Sequence, residues 1–111
     1  MSARLLSADV DATIDHIGST TALCLRGAVV VRQAAAVRLA VRDFLDSTDP
    51  TRHAVIDMSA VEELDAAGLA AVTSPVLRSC RAGRMVSVVP PMAAAPRRLA
   101  DQVGVLPLGA G

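Results

Sequence analysis

From Val10 onward the apolar positions first alternate with polar ones and then change period. Val10, Ala12 and Ile14 alternate with Asp11, Thr13 and Asp15, Gly18 and Ser19 offer a turn, and Leu23 and Leu25 alternate again up to Gly27. Period-two spacing around a turn predicts a β-hairpin. From Val30 to Asp46 the apolar residues Val30, Ala34, Val37, Val41, Phe44 and Leu45 fall at helical spacing, with Arg38, Arg42 and Asp46 on another side, the pattern of an amphipathic helix. "DSTDPTR", Asp46 to Arg52, ends that helix, and Pro50 keeps it from continuing.

A third strand is predicted over Ala54 to Asp57, followed by a polar crossing and a second helix beginning near Ala66. On that helix Leu69, Val72, Val76 and Cys80 share one face, and Gly83 in "AGR" is placed as its glycine C-cap. Pro75 lies inside this helix and removes the N–H that would bond the Ala71 carbonyl, so a bend without a break is expected there. "MVSVV", Met85 to Val89, reads as a short buried strand ended by Pro90 and Pro91. Pro96 suits the first turn of a last helix, with Leu99 and Val103 on its apolar side and Gly104 stopping it before a "VLPL" tail. Met1 to Ser7 show no period, so residues 1–8 are expected to be a flexible lead-in and 9–111 one domain.

Hairpin, helix, strand, helix, strand, helix is an α/β order. The alternation after the hairpin calls for right-handed parallel crossovers, hence a mixed sheet of four to five strands with helices mainly on one face.

Composition narrows what such a fold could do. Hydrophobic residues make up 52% of the 111 and aromatics 1%, with Phe44 alone, so the core is built from Ala, Val, Leu and Ile and base-stacking platforms are absent. Eleven basic residues, all Arg, cancel eleven acidic ones, leaving no net field to attract nucleic acid or an anionic membrane. No apolar run approaches the roughly 20 residues of a bilayer span. With no secretory pattern and no CxxC spacing for Cys24 and Cys80, the chain is expected to be cytoplasmic with reduced thiols.

At the centre lies "IDMSAVEELDAAGL", and "PRRLADQVGV" follows the last strand. With Gly27 after the second strand, Asp57 at the end of the third, Asp65-x-x-Gly68-Leu69 opening the next helix, Gly83 before the fourth strand and Gly104 after the last helix, the chain from about Asp9 to Leu108 resembles the STAS domain of bacterial anti-sigma factor antagonists. The resemblance implies a docking surface formed by Asp57, Ser59, Asp65, Ala66, Ala67, Gly68 and Leu69. In phosphorylatable members of that family the residue after the signature Asp is Ser or Thr, modified by a partner kinase to release the anti-sigma factor. Here Ala66 stands at that position, Ala67 follows, and the segment after Gly27 is Ala28, Val29, Val30 without the acidic residue the family tends to carry there.

A helix N-terminus exposes unpaired N–H groups and partial positive charge, and phosphorylation there would add about −1.5 to −2 charges. The alanine keeps the surface in its unmodified form. A plainer role stands beside this one: Asp65 as an N-cap, Ala66 and Ala67 as first-turn residues, and Gly68 for close packing. Asp57 reads as a strand-end acid satisfied by backbone N–H groups.

Other side chains offer less chemistry. His16 and His53 lack the i, i+4 spacing or Cys companions of a metal site, Cys24 and Cys80 read as buried small hydrophobes, and Ser59, Thr73 and Ser74 have no Ser-His-Asp company. Glu62, Glu63 and Asp65 form a dense acidic cluster that reads as solvated surface able to steer an Arg-rich partner. No catalytic, cofactor or metal residue is assigned. The expectation is a non-enzymatic, protein-binding regulator whose partner is a kinase-type anti-sigma factor or another regulatory protein. Neither nucleic acid nor membrane insertion is expected, and the surface is compatible with a homo-oligomer. The alternative is a non-catalytic STAS subunit of a larger assembly, such as an ABC-type lipid transport complex.

Overall fold

In the computed structural model, which describes residues 2–7 and 9–103 with side chains over 9–101, a mixed sheet of five strands runs in the order β1-β2-β3-β4-β5. The strands are β1 (Ser2–Ser7), β2 (Val10–Ile17), β3 (Thr20–Val29), β4 (His53–Leu64) and β5 (Val86–Val89), and the helices are α1 (Ala34–Ser47), α2 (Ala66–Arg81) and α3 (Ala94–Val103). β2 and β3 form the expected hairpin across Gly18 and Ser19, while β3, β4 and β5 are parallel neighbours linked through α1 and α2. Gly104 and the "VLPL" tail lie outside the described residues.

One face of the sheet is the core. Val10, Ala12, Leu23, Leu25, Ala54, Ile56, Met58, Val86 and Val88 point into it and meet Val37, Val41, Phe44 and Leu45 of α1 and Ala71, Val72 and Val76 of α2. The alternation and the helical spacing therefore converge on one apolar layer, the expected result of burying a sheet face beneath two amphipathic helices. The opposite face keeps small and polar residues, among them Thr13, Asp15, Cys24, Asp57 and Ser87, half-buried. α3 packs against β4 through its buried side at Pro96 and Ala100.

Three expectations need correcting. The stretch expected as a flexible lead-in contains β1, paired antiparallel with β2 from Ser2↔Ile14 to Ser7↔Val10. Backbone N–H and C=O groups on the outer edge of β2 seek partners whatever side chains the added strand carries, so no apolar period announces it. The first helix does not begin at Val30: Val31–Gln33 form a 3-10 turn and the α-helix starts at Ala34. Finally, Asp57 does not close the third strand of the sequence reading. β4 continues to Leu64, and its register against β3 jumps from Cys24↔Asp57 to Arg26↔Ala60 and again from Gly27↔Val61 to Ala28↔Glu63. Each jump adds one residue to β4, a β-bulge, and the first explains why burial steps by three from Met58 to Val61.

Local chemistry holds the connections. α2 ends in a Schellman arrangement, with the Gly83 N–H on the Cys80 carbonyl at 3.0 Å and the Arg84 N–H on the Ser79 carbonyl at 3.0 Å. Gly83 takes φ +91° there, a conformation costly for any residue with a Cβ. The Arg84 guanidinium reaches back to α1, donating to the carbonyls of Leu45 and, at 3.2 Å, Thr48. Arg52 ties the start of β4 to the hairpin by donating to the Thr21 hydroxyl and the Gly18 and Thr20 carbonyls. α2 runs unbroken through the buried Pro75.

Candidate functional site

The N-terminal end of α2 sits where β4 leaves the sheet beside the end of β3, and Asp65 organises it. Extended at φ −123° and ψ 179°, Asp65 is the N-cap of α2. Its Oδ1 accepts the Gly68 N–H at 2.8 Å, satisfying one of the donors that a helix start leaves unpaired. Its Oδ2 accepts the Val31 N–H at 2.9 Å. One carboxylate therefore caps α2 and the 3-10 turn before α1 together, locking the β3–α1 connection to the β4–α2 connection.

Gly68 explains its own identity through space. A Cβ on it would lie 1.8 Å from the Val29 carbonyl oxygen and 2.5 Å from the carbonyl carbon. α2 thus starts in direct backbone contact with the last residue of β3, and only glycine permits that approach. Leu69, 2% exposed, anchors the same turn from within, and its N–H bonds the Asp65 carbonyl at 2.9 Å.

What remains outside is apolar and small. Ala66 and Ala70 are exposed, Ala67 is half-buried, and Val31, 65% exposed, stands beside them across the Asp65 bridge. Of the sequence-assigned residues, Asp65, Ala66, Ala67, Gly68 and Leu69 thus form one unit in which Asp65, Gly68 and Leu69 build the end of the helix and Ala66 and Ala67 supply its surface. Asp57 and Ser59 lie one bulge back along β4, where Asp57 Oδ1 accepts the Ser59 N–H at 2.8 Å and the Ser59 carbonyl accepts the Met92 N–H at 3.3 Å.

The acidic cluster does not stay together. Asp65 turns inward to its two backbone donors, whereas Glu62 and Glu63 face outward with Asp9 around an open concavity of about 460 Å³ that Gly27 and Ala28 complete. No short-range motif marks Asp9 or Val31, because each meets its site partners only through the tertiary fold, Val31 with Asp65 and Asp9 with Glu62 and Glu63. Asp9 also accepts a hydrogen bond from the buried Gln33 at 3.4 Å.

The remaining candidates are ordinary in geometry. His16 meets the Thr21 hydroxyl at 3.2 Å and His53 the Ser87 hydroxyl at 2.7 Å. Both cysteines are free and half-exposed rather than buried, since Cys24 lies on the open sheet face and Cys80 at the margin of the core. Burial, then the charges of Asp57 and Asp15, push the Cys24 thiol above its ordinary value. Among the described residues no cluster of His, Cys, Asp and Glu could hold a metal, and no helix is long and apolar enough to cross a membrane.

This mixed sheet, backed on one face by two crossover helices with a capped helix start at the end of β4, matches the STAS fold. Solved structures share it. An anti-sigma factor antagonist from Mycobacterium paratuberculosis aligns with 86% of this chain and 79% of its own at 21% identity and a TM-score of 0.68. An antisigma-factor antagonist STAS domain from Rhodobacter sphaeroides aligns with 74% of this chain and 87% of its own at 22% identity and a TM-score of 0.50. The structure of Mglu aligns with 68% of this chain at 25% identity and a TM-score of 0.55, but over only 18% of that longer chain. No family model and no curated protein sequence matches the chain.

Proposed function

We propose that this chain is a non-catalytic, protein-binding regulator of the anti-sigma factor antagonist kind, docking a kinase-type anti-sigma factor or a similar regulatory protein through the N-terminal end of α2. We further propose that it is not switched by phosphorylation at the usual position. The observation that carries this reading is Ala66: at the first position of α2 it is exposed, beside Val31 and Ala70, and it presents a methyl group where a phosphoacceptor would present a hydroxyl. The fold likeness to two anti-sigma factor antagonists supports the class. The nearby hydroxyls are poor substitutes, since Thr73 is 7% exposed and Ser59 is half-buried, while Ser74 lies about 12 Å further along the helix.

The test is to incubate the purified protein with the anti-sigma factor and ATP and follow intact mass and complex integrity together. A stable complex without added phosphate is expected, and Ala66→Glu is expected to weaken it about tenfold or more by placing a fixed charge in the contact. Stoichiometric phosphorylation of Ser59, Thr73 or Ser74 with dissociation would overturn the unswitched reading. Full binding by the Ala66→Glu variant would overturn the assignment of the surface.

A further inference from the structure

We infer that the groove between α1 and α2 is a second binding surface, built to take an acidic, carboxylate-rich segment of a partner protein. Arg38 and Arg42 on α1 face Ser74 and Arg78 on α2 across an open concavity of about 310 Å³, with Pro75 between them. Each helix contributes a pair of residues one turn apart, so the four side chains frame the groove from both walls. A smaller concavity of about 90 Å³ continues it past Arg42, Pro75 and Arg78 to Leu45, Asp46 and Ser79.

Among the described residues, Arg38, Arg42 and Arg78 make no ion pair and no side-chain hydrogen bond; the ion pairs there join Arg26 to Asp11 and Arg97 to Asp101. Asp46, one turn beyond Arg42, is the carboxylate that lines the continuation. Arg78 and Arg81 in the last turn of α2 also favour that helix through its dipole. Arg38 and Arg42 have no such role: they lie within α1, one turn apart, where like charges repel. Internal stability therefore accounts at most for Arg78, through the helix dipole, and in part for Arg42, through Asp46 one turn on, and it gives no account of Arg38 or of why three guanidinium groups without ion pairs gather around one groove.

The geometry selects the occupant. Backbone N–H groups inside a helix are already bonded, so the walls offer side chains alone and not the cradle of amides that holds a compact phosphate at a helix N-terminus. Three guanidinium groups spread along two helices suit carboxylates spread along an extended peptide, each arginine being able to take one in a forked, charge-assisted pair. The groove stands two turns from Ala66 on the same helix, so its occupancy is a question separate from docking at the helix end.

The experiment titrates the isotope-labelled full chain with an acetylated hexaglutamate peptide at low ionic strength and follows amide shifts. Saturable shifts centred on Arg38, Arg42, Ser74 and Arg78 are expected, and they should fade as salt is raised. Arg42→Gln and Arg78→Gln are each expected to weaken binding about threefold to fivefold, in line with exposed ion pairs. The double variant Arg42→Glu/Arg78→Glu should abolish binding with an otherwise unchanged spectrum. Peptide shifts centred on Arg97 and Arg98, or binding undiminished in both Gln variants, would overturn the inference. So would saturable binding of inorganic phosphate in this groove without binding of the peptide, because the occupant would then be a phosphoryl group.

Discussion

Replacing Gly68 with alanine drives a methyl group into the backbone of Val29, 1.8 Å from its oxygen. Neither partner is a flexible side chain, so α2 must shift off β3, and an overpacking cost of about 1–3 kcal/mol is expected in urea unfolding. Asp65→Asn retains an oxygen for one N–H and loses the other, so a smaller loss of about 1 kcal/mol is expected by the same measurement. An unchanged midpoint in Asp65→Asn would mean that the bridge to Val31 adds nothing. Cys24 yields a pH prediction. Its folded thiol holds the proton to higher pH than the unfolded thiol, through burial and then the charges of Asp57 and Asp15. Folding is thus favoured fully below the unfolded pKa, and that contribution fades as pH rises through the raised native value. The chain has no Lys and no Tyr to add a proton loss of their own in that range. Stability should fall above about pH 9, and Cys24→Ser should flatten the fall; an identical slope in both proteins would refute the assignment.

Among the elements, β4 carries the architecture and shows where reading by period succeeds and where it stops. Ala54, Ile56 and Met58 keep period two, and a strand was expected over its first part; beyond Asp57 the bulges break the period, so a continuing strand looks like a polar crossing. The same limit hid β1, whose pairing with β2 is a matter of backbone groups. α2 was legible along almost its whole length because its apolar spacing, its N-cap and its glycine terminus are all local, and Pro75 did not break it. Central position predicts persistence. Native-state hydrogen exchange is expected to be slowest for Leu25 and Ile56, fully buried on paired inner strands, and faster throughout β1 at the sheet edge. Slower exchange in β1 than in β4 would contradict that order.

At the scale of the whole molecule, β2 to β5, α1 and α2 share one apolar cluster among the described residues. Unfolding is therefore expected to be a single cooperative transition, coincident by circular dichroism and by loss of the native amide resonances; separated transitions would mean that the helical layer melts on its own. Much of this architecture was legible beforehand because alternation, helical spacing and turn residues act within a few positions of the chain. That residue 66 is alanine needed no coordinates at all. The remainder depends on residues far apart in sequence. Asp65 meets Val31 34 positions away, Asp9 joins Glu62 and Glu63, and Arg38 and Arg42 come to face Arg78. Those meetings follow from strand register and from the packing of α1 beside α2. They are fixed by backbone pairing and core volume, which leave no mark on the spacing of the residues they bring together.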